Sequence, residues 1–128
     1  MTLRETVRKG IYKWLPIVFG CHCRADRSFF YRGRQFPVCA RCTGLLFGFL
    51  LGVAMLFLYT PPVWVLVILA LPMIADGLIQ RFTAYESGNI RRLATGLLFG
   101  CAIVCLFSLS VHTVFLLGRE VGDTVRLK

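Results

Sequence analysis

Cys21-His22-Cys23 and Cys39-Ala-Arg-Cys42, with fifteen residues between them, are the groups in this chain best suited to chemistry. Two cysteine pairs at that separation match a zinc site closed by two knuckles, each giving two thiolates to a tetrahedral ion. The first pair is C-x-C rather than C-x-x-C, and His22 between its thiols is a competing ligand. Arg24, Arg27, Arg32, Arg34 and Arg41 lie close in sequence and favour thiolate over thiol. The candidate metal ligands are therefore Cys21, His22, Cys23, Cys39 and Cys42, with zinc as the cofactor. A reversible dithiol at the C-x-x-C, and a set of buried unreactive cysteines, are the competing readings. Cys101 and Cys105 are four apart in an apolar run, where free Cys acts as a small hydrophobe. His112 reads as an isolated polar group near a helix end.

The elements that hold these groups are membrane helices. Of 128 residues, 57% are hydrophobic and 16% charged, with a mean hydropathy of +0.72, too apolar for a soluble domain of this size. Fifteen Lys and Arg against six Asp and Glu give +9, which in this apolar setting points to topology and anionic lipid headgroups rather than nucleic acid. No charge occurs between Arg41 and Asp76, a run of 34 positions. As one helix it would be roughly 50 Å long at ~1.5 Å per residue, too long for a ~30 Å hydrocarbon core. Thr60-Pro61-Pro62 breaks it, because proline cannot continue a helix interior. Spans are expected at about 40–59 and 62–80, and a third at about 93–117 within the uncharged run Leu93–Gly118.

The expected fold is an all-α membrane protein, three transmembrane helices with a Cys-rich N-terminal interfacial cap. Its parts are a basic interfacial segment (1–38), a three-helix domain (39–118) and a polar tail (119–128). Nine of the fifteen basic residues lie at or before Arg41, and the Thr60–Pro62 turn has none. The positive-inside rule then puts the N-terminus and the second loop in the cytoplasm and the C-terminus outside, in the cytoplasmic (inner) membrane. The apolar core of "IYKWLPIVFGC" is about seven residues long and contains Pro16, which suits an interfacial segment better than a cleaved leader. Tyr12 and Trp14 would sit at headgroup depth.

"TGLLFG" occurs at Thr43–Gly48 and again at Thr95–Gly100, each time just after arginine. Gly44, Gly48 and Gly52 in one helix, with Gly96 and Gly100 in the other, have the four-residue spacing that lets helices approach closely, within this chain or between copies in a homo-oligomer. A sharper reading makes Thr43 and Thr95 paired hydroxyls of one pocket. Asp76, an ionisable group within a span, is a functional candidate, and Gln80 follows on its face. The alternative is that Asp76 is hydrated or paired with Arg81, Arg91 or Arg92. Cys39/Cys42, Asp76/Gln80 and Thr95 fall at one depth, where Ser87 and Asn89 could join them.

"CH", "RSFFYRGRQFPVCARCTG", "DGLIQ" and "SGNIRRLATGLLFG" together resemble domain of unknown function 2085, small predicted integral membrane proteins of bacteria and archaea. The resemblance covers about residues 21–100. It implies roles for Cys21, His22, Arg27, Ser28, Phe29, Arg34, Gln35, Pro37, Cys39, Arg41, Cys42 and Gly44, and for Asp76, Gly77, Gln80, Ser87, Asn89, Arg92, Thr95 and Gly96. In that family the position of Cys23 is often Gln, which favours Cys21, Cys39 and Cys42 as ligands, helped by His22 or Asp76. The family name supplies no activity. On residues alone, the leading expectation is a metal-dependent membrane enzyme acting on a lipid-linked or anionic substrate. Asp76 would be its acid/base, with Arg34, Gln80, Asn89, Arg92 and Thr95 binding substrate. A non-catalytic transport or assembly subunit with structural zinc comes second, and a membrane thiol-redox protein third.

Overall fold

A computed structural model describes residues 2–127. Four helices follow in order: α1 (Leu3–Val18), α2 (Ala40–Leu58), α3 (Val63–Phe82) and α4 (Asn89–Arg126). Between α1 and α2 lie a 3-10 turn, Ala25–Arg27, and a small hairpin of β1 (Phe30–Tyr31) and β2 (Arg34–Gln35). The last three helices are each long and apolar enough to cross a membrane. The protein is thus an all-α membrane protein with three candidate spans, and its cysteine cluster is near the N-terminus. The expected break falls at Tyr59–Pro62, where the prolines end one helix and open the next. In α4 the helix runs past Gly118 to Arg126, so most of the polar tail is helical; nothing between 118 and 126 is a proline.

The bundle is built on α4, which packs against both α2 and α3. Helices α2 and α4 run parallel, in contact along the two "TGLLFG" copies. A Cβ on Gly44 would meet the Leu93 carbonyl, and one on Gly48 the Leu97 carbonyl; from the other side, Gly96 faces the Arg41 carbonyl and Gly100 that of Leu45. Only residues without a side chain allow backbones this close, so the repeated glycines set the helix spacing. Cys101 and Cys105 are buried beside this seam, with Cys101 Sγ 3.4 Å from Met55 Sδ. With Leu66, Ala70 and Ala102, Cys105 forms the small apolar core toward α3.

The cap is folded rather than merely apolar. Arg32 and Gly33 both have positive φ (51° and 73°), the two-residue turn that matches the strand twist of a hairpin. Gln35 then serves as a brace: its Nε2 donates to the Cys23 carbonyl at 2.7 Å and to Ser28 Oγ at 3.1 Å. Tyr12 donates its hydroxyl to the Gln35 carbonyl at 3.0 Å, tying α1 to the hairpin. Phe19 meets Phe49 of α2 with ring centroids 6.3 Å apart.

Candidate metal centre and the ion network beside it

Cys39 is the N-cap of α2, and Cys42 lies three residues on, so both thiols project from the same side of its first turn. Cys21 arrives from the loop after α1, and its Sγ accepts a hydrogen bond from the Cys39 amide at 3.2 Å. The sulfurs of Cys21, Cys39 and Cys42 all lie within 4.8 Å of one another, close enough to share a metal ion. Hydrogen bonding from the Cys42 thiol brings the Cys39 thiol down to about 5. Burial opposes this, and the Cys42 amide, the Cys21 thiol and the Arg41 amide add to it. The helix start therefore favours a thiolate, the form that binds metal.

Of the five expected ligands, the structure brings these three together. Cys23 has φ 47°, and its Sγ donates instead to the Pro37 carbonyl at 3.1 Å. Burial, with like charge from Cys21 second, pushes its thiol up. His22 is exposed but lines the same pocket, a cleft of about 390 Å³ that the three thiols share with Gly20, Cys23, Arg24 and Arg27. Arg27 also reaches Glu86 at 2.6 Å, fastening the cap to the α3–α4 loop.

Asp76 is close in sequence logic but separate in space. It is not within the thiol group and does not line that cleft. Its side chain is 1% exposed, and Oδ2 accepts from Arg41 Nη2 at 2.5 Å, Gln80 Nε2 at 2.7 Å and Ser87 Oγ at 3.1 Å. Arg91 Nε stands 3.6 Å from Oδ1. Ser87 Oγ in turn accepts from Gln80 Nε2 at 2.6 Å and from the buried Arg92 Nε at 3.2 Å. A single carboxylate thus anchors the starts of α2 and α4 to the end of α3. The sequence marks Arg41 for its place beside the thiols and in the family pattern, but not as the partner of Asp76. The signal was its place inside Cys39-Ala-Arg-Cys42: two residues after Cys39 on a helix is the opposite flank, which faces α3.

The other expected site residues are dispersed. Thr95 is buried, and its hydroxyl donates to the carbonyls of Arg91 and Arg92 at 3.0 and 3.2 Å. Thr43 does the same to Cys39 at 3.0 Å. Each hydroxyl donates back to carbonyls of its own helix or helix cap, three or four residues earlier. Asn89 is the first residue of α4 and partly buried. Arg34 is on β2, in a different pocket from the thiols.

The model of the family described as "predicted membrane protein", domain of unknown function 2085, matches residues 21–106. The chain belongs to this family. That stretch of the domain of unknown function 2085 holds every thiol of the cluster, Asp76 and both glycine repeats. Among similar proteins, an uncharacterized protein of Methanothermobacter thermautotrophicus is 35% identical over 99 residues, covering 73% of this chain and 89% of that one. An uncharacterized protein of Methanocaldococcus jannaschii is 37% identical over 94 residues, covering 66% of this chain and 58% of its own length. No solved structure matches.

Proposed function

We propose that Cys21, Cys39 and Cys42 hold a zinc ion at the membrane surface, with its fourth position open to a ligand in the adjoining cleft. The observation that carries this reading is the convergence of three thiols at that 390 Å³ cleft, with no fourth Cys, His, Asp or Glu ligand atom grouped with them among the described residues. Three protein ligands with one exchangeable position are the pattern of catalytic zinc, and a thiolate set suits zinc among common divalent ions. Bound there, the metal would supply Lewis acidity toward an oxygen of the ligand. Arg24 and Arg27 line the cleft and favour an anionic or lipid-linked substrate. Asp76, already engaged by Arg41, Gln80 and Ser87, acts in this reading by positioning the turn that bears Cys39 and Cys42.

The thiols, the hairpin and the α3–α4 loop share one end of the bundle, joined by the Arg27–Glu86 pair. That end carries most of the basic residues, which favours a cytoplasmic orientation in the inner membrane with the C-terminus outside. A second reading, a non-catalytic module with structural zinc, draws support from the ligands' origins: Cys21 belongs to the cap and the others to α2, so a metal would staple the two. His22 would then complete the site.

Metal analysis of full-length protein purified under reducing conditions tests the common core of both readings. One equivalent of zinc per chain is expected, lost in Cys21→Ser, Cys39→Ser and Cys42→Ser and kept in Cys23→Ser. Metal-free wild type, or equal loss in Cys23→Ser, would contradict the assignment.

A further inference from the structure

Helix α1 and the hairpin frame a second pocket, of about 390 Å³, lined by Arg8, Lys9 and Tyr12 from α1 and Arg34 and Gln35 from β2. Three cations converge there and no carboxylate lines the space. Among the described residues none of the three is in an ion pair. The Tyr12–Gln35 hydrogen bond holds the two walls together. Like charges around one pocket repel, and an anion among them would offset that repulsion.

An apolar slot adjoins this pocket. Leu3, Val7 and Ile11 line a concavity of about 370 Å³ with Arg4, and it shares Arg8 and Tyr12 with the basic pocket. Leu3, Val7, Ile11, Trp14 and Val18 recur on one face of α1, and all are exposed. A basic pocket continuous with an apolar slot has the amphipathic pattern of a phospholipid: a charged phosphodiester beside an acyl chain. A soluble phosphate would use only the first half.

We infer that α1 and the hairpin form a clamp for an anionic glycerophospholipid, with Arg8, Lys9 and Arg34 on the headgroup phosphate and Leu3, Val7 and Ile11 along a chain. Guanidinium groups bind phosphate oxygens in a fork, and juxtamembrane cations are attracted to anionic lipid. The site is separate from the thiols and stands whether or not they bind metal.

The test uses full-length protein in nanodiscs of phosphatidylcholine with a minor fraction of phosphatidylglycerol, followed by native mass spectrometry of the released protein. Wild type should retain phosphatidylglycerol in excess of its share of the bilayer. Arg8→Gln/Arg34→Gln should lower that enrichment about tenfold, and the single change Lys9→Gln by less, with helical circular dichroism unchanged. Added inorganic phosphate should not displace the lipid. No enrichment in wild type, equal enrichment in the variants, or displacement by millimolar phosphate would overturn the clamp; the last would make it a simple anion site.

Discussion

Asp76→Ala is expected to destabilise the folded protein by about 3–5 kcal/mol, the usual cost of removing one partner from a buried ion pair. The carboxylate is 1% exposed and Arg41 25%, so solvent does little to soften the loss. Without it, Arg41 and Arg91 lose their counter-ion, and Gln80 and Ser87 lose an acceptor. Asp76→Asn keeps a polar group of the same size beside Gln80 and Ser87 but removes the charge, so its cost should be intermediate. Denaturant titration of helical circular dichroism in detergent measures both. A loss below about 1 kcal/mol for Asp76→Ala, the range of an exposed pair, would show that the network does not anchor the three helices.

Gly48→Leu should also be damaging, for a steric reason. Even a Cβ at Gly48 meets the Leu97 carbonyl, and it would be 3.0 Å from Gly100 Cα, so the obstacle is backbone and cannot rotate away. Overpacking commonly costs about 1–3 kcal/mol, and contact with a fixed helix puts this change at or above the upper end. Gly77→Ala is the matched control, because nothing lies within 4 Å of the Cβ it would add. The same titration should separate the two variants clearly. Equal stability would mean that α2 and α4 are not held at glycine contact.

The spans were legible because hydropathy, charge and Thr60-Pro61-Pro62 are local signals, and α2 and α3 begin and end within two residues of the expected bounds. The glycine seam was legible for the same reason: a four-residue spacing on two helices has one geometric meaning. The cap was not. Its order depends on Gln35 reaching back to Cys23 and Ser28, and on Tyr12 reaching Gln35 across 23 residues, contacts that no local pattern encodes. The cysteine spacing identified the cluster but not its membership. A positive φ at Cys23 and a bond to Pro37 distinguish it from Cys21, two residues away. The expected meeting of Asp76 with the thiols resolved into two neighbouring sites. Equal depth along parallel and antiparallel helices does not specify which way side chains face, and Arg41 occupies the flank toward α3.

X-ray absorption at the zinc edge of the reduced, reconstituted protein tests the central claim most directly. Three sulfur scatterers at about 2.3 Å and one oxygen or nitrogen at about 2.0 Å, the last replaced when an exogenous anion such as azide is added, is the predicted result. A fixed imidazole nitrogen in wild type that disappears in His22→Ala would mean a closed structural site. Four sulfurs, or no zinc at all, would contradict a three-thiolate centre with an open position.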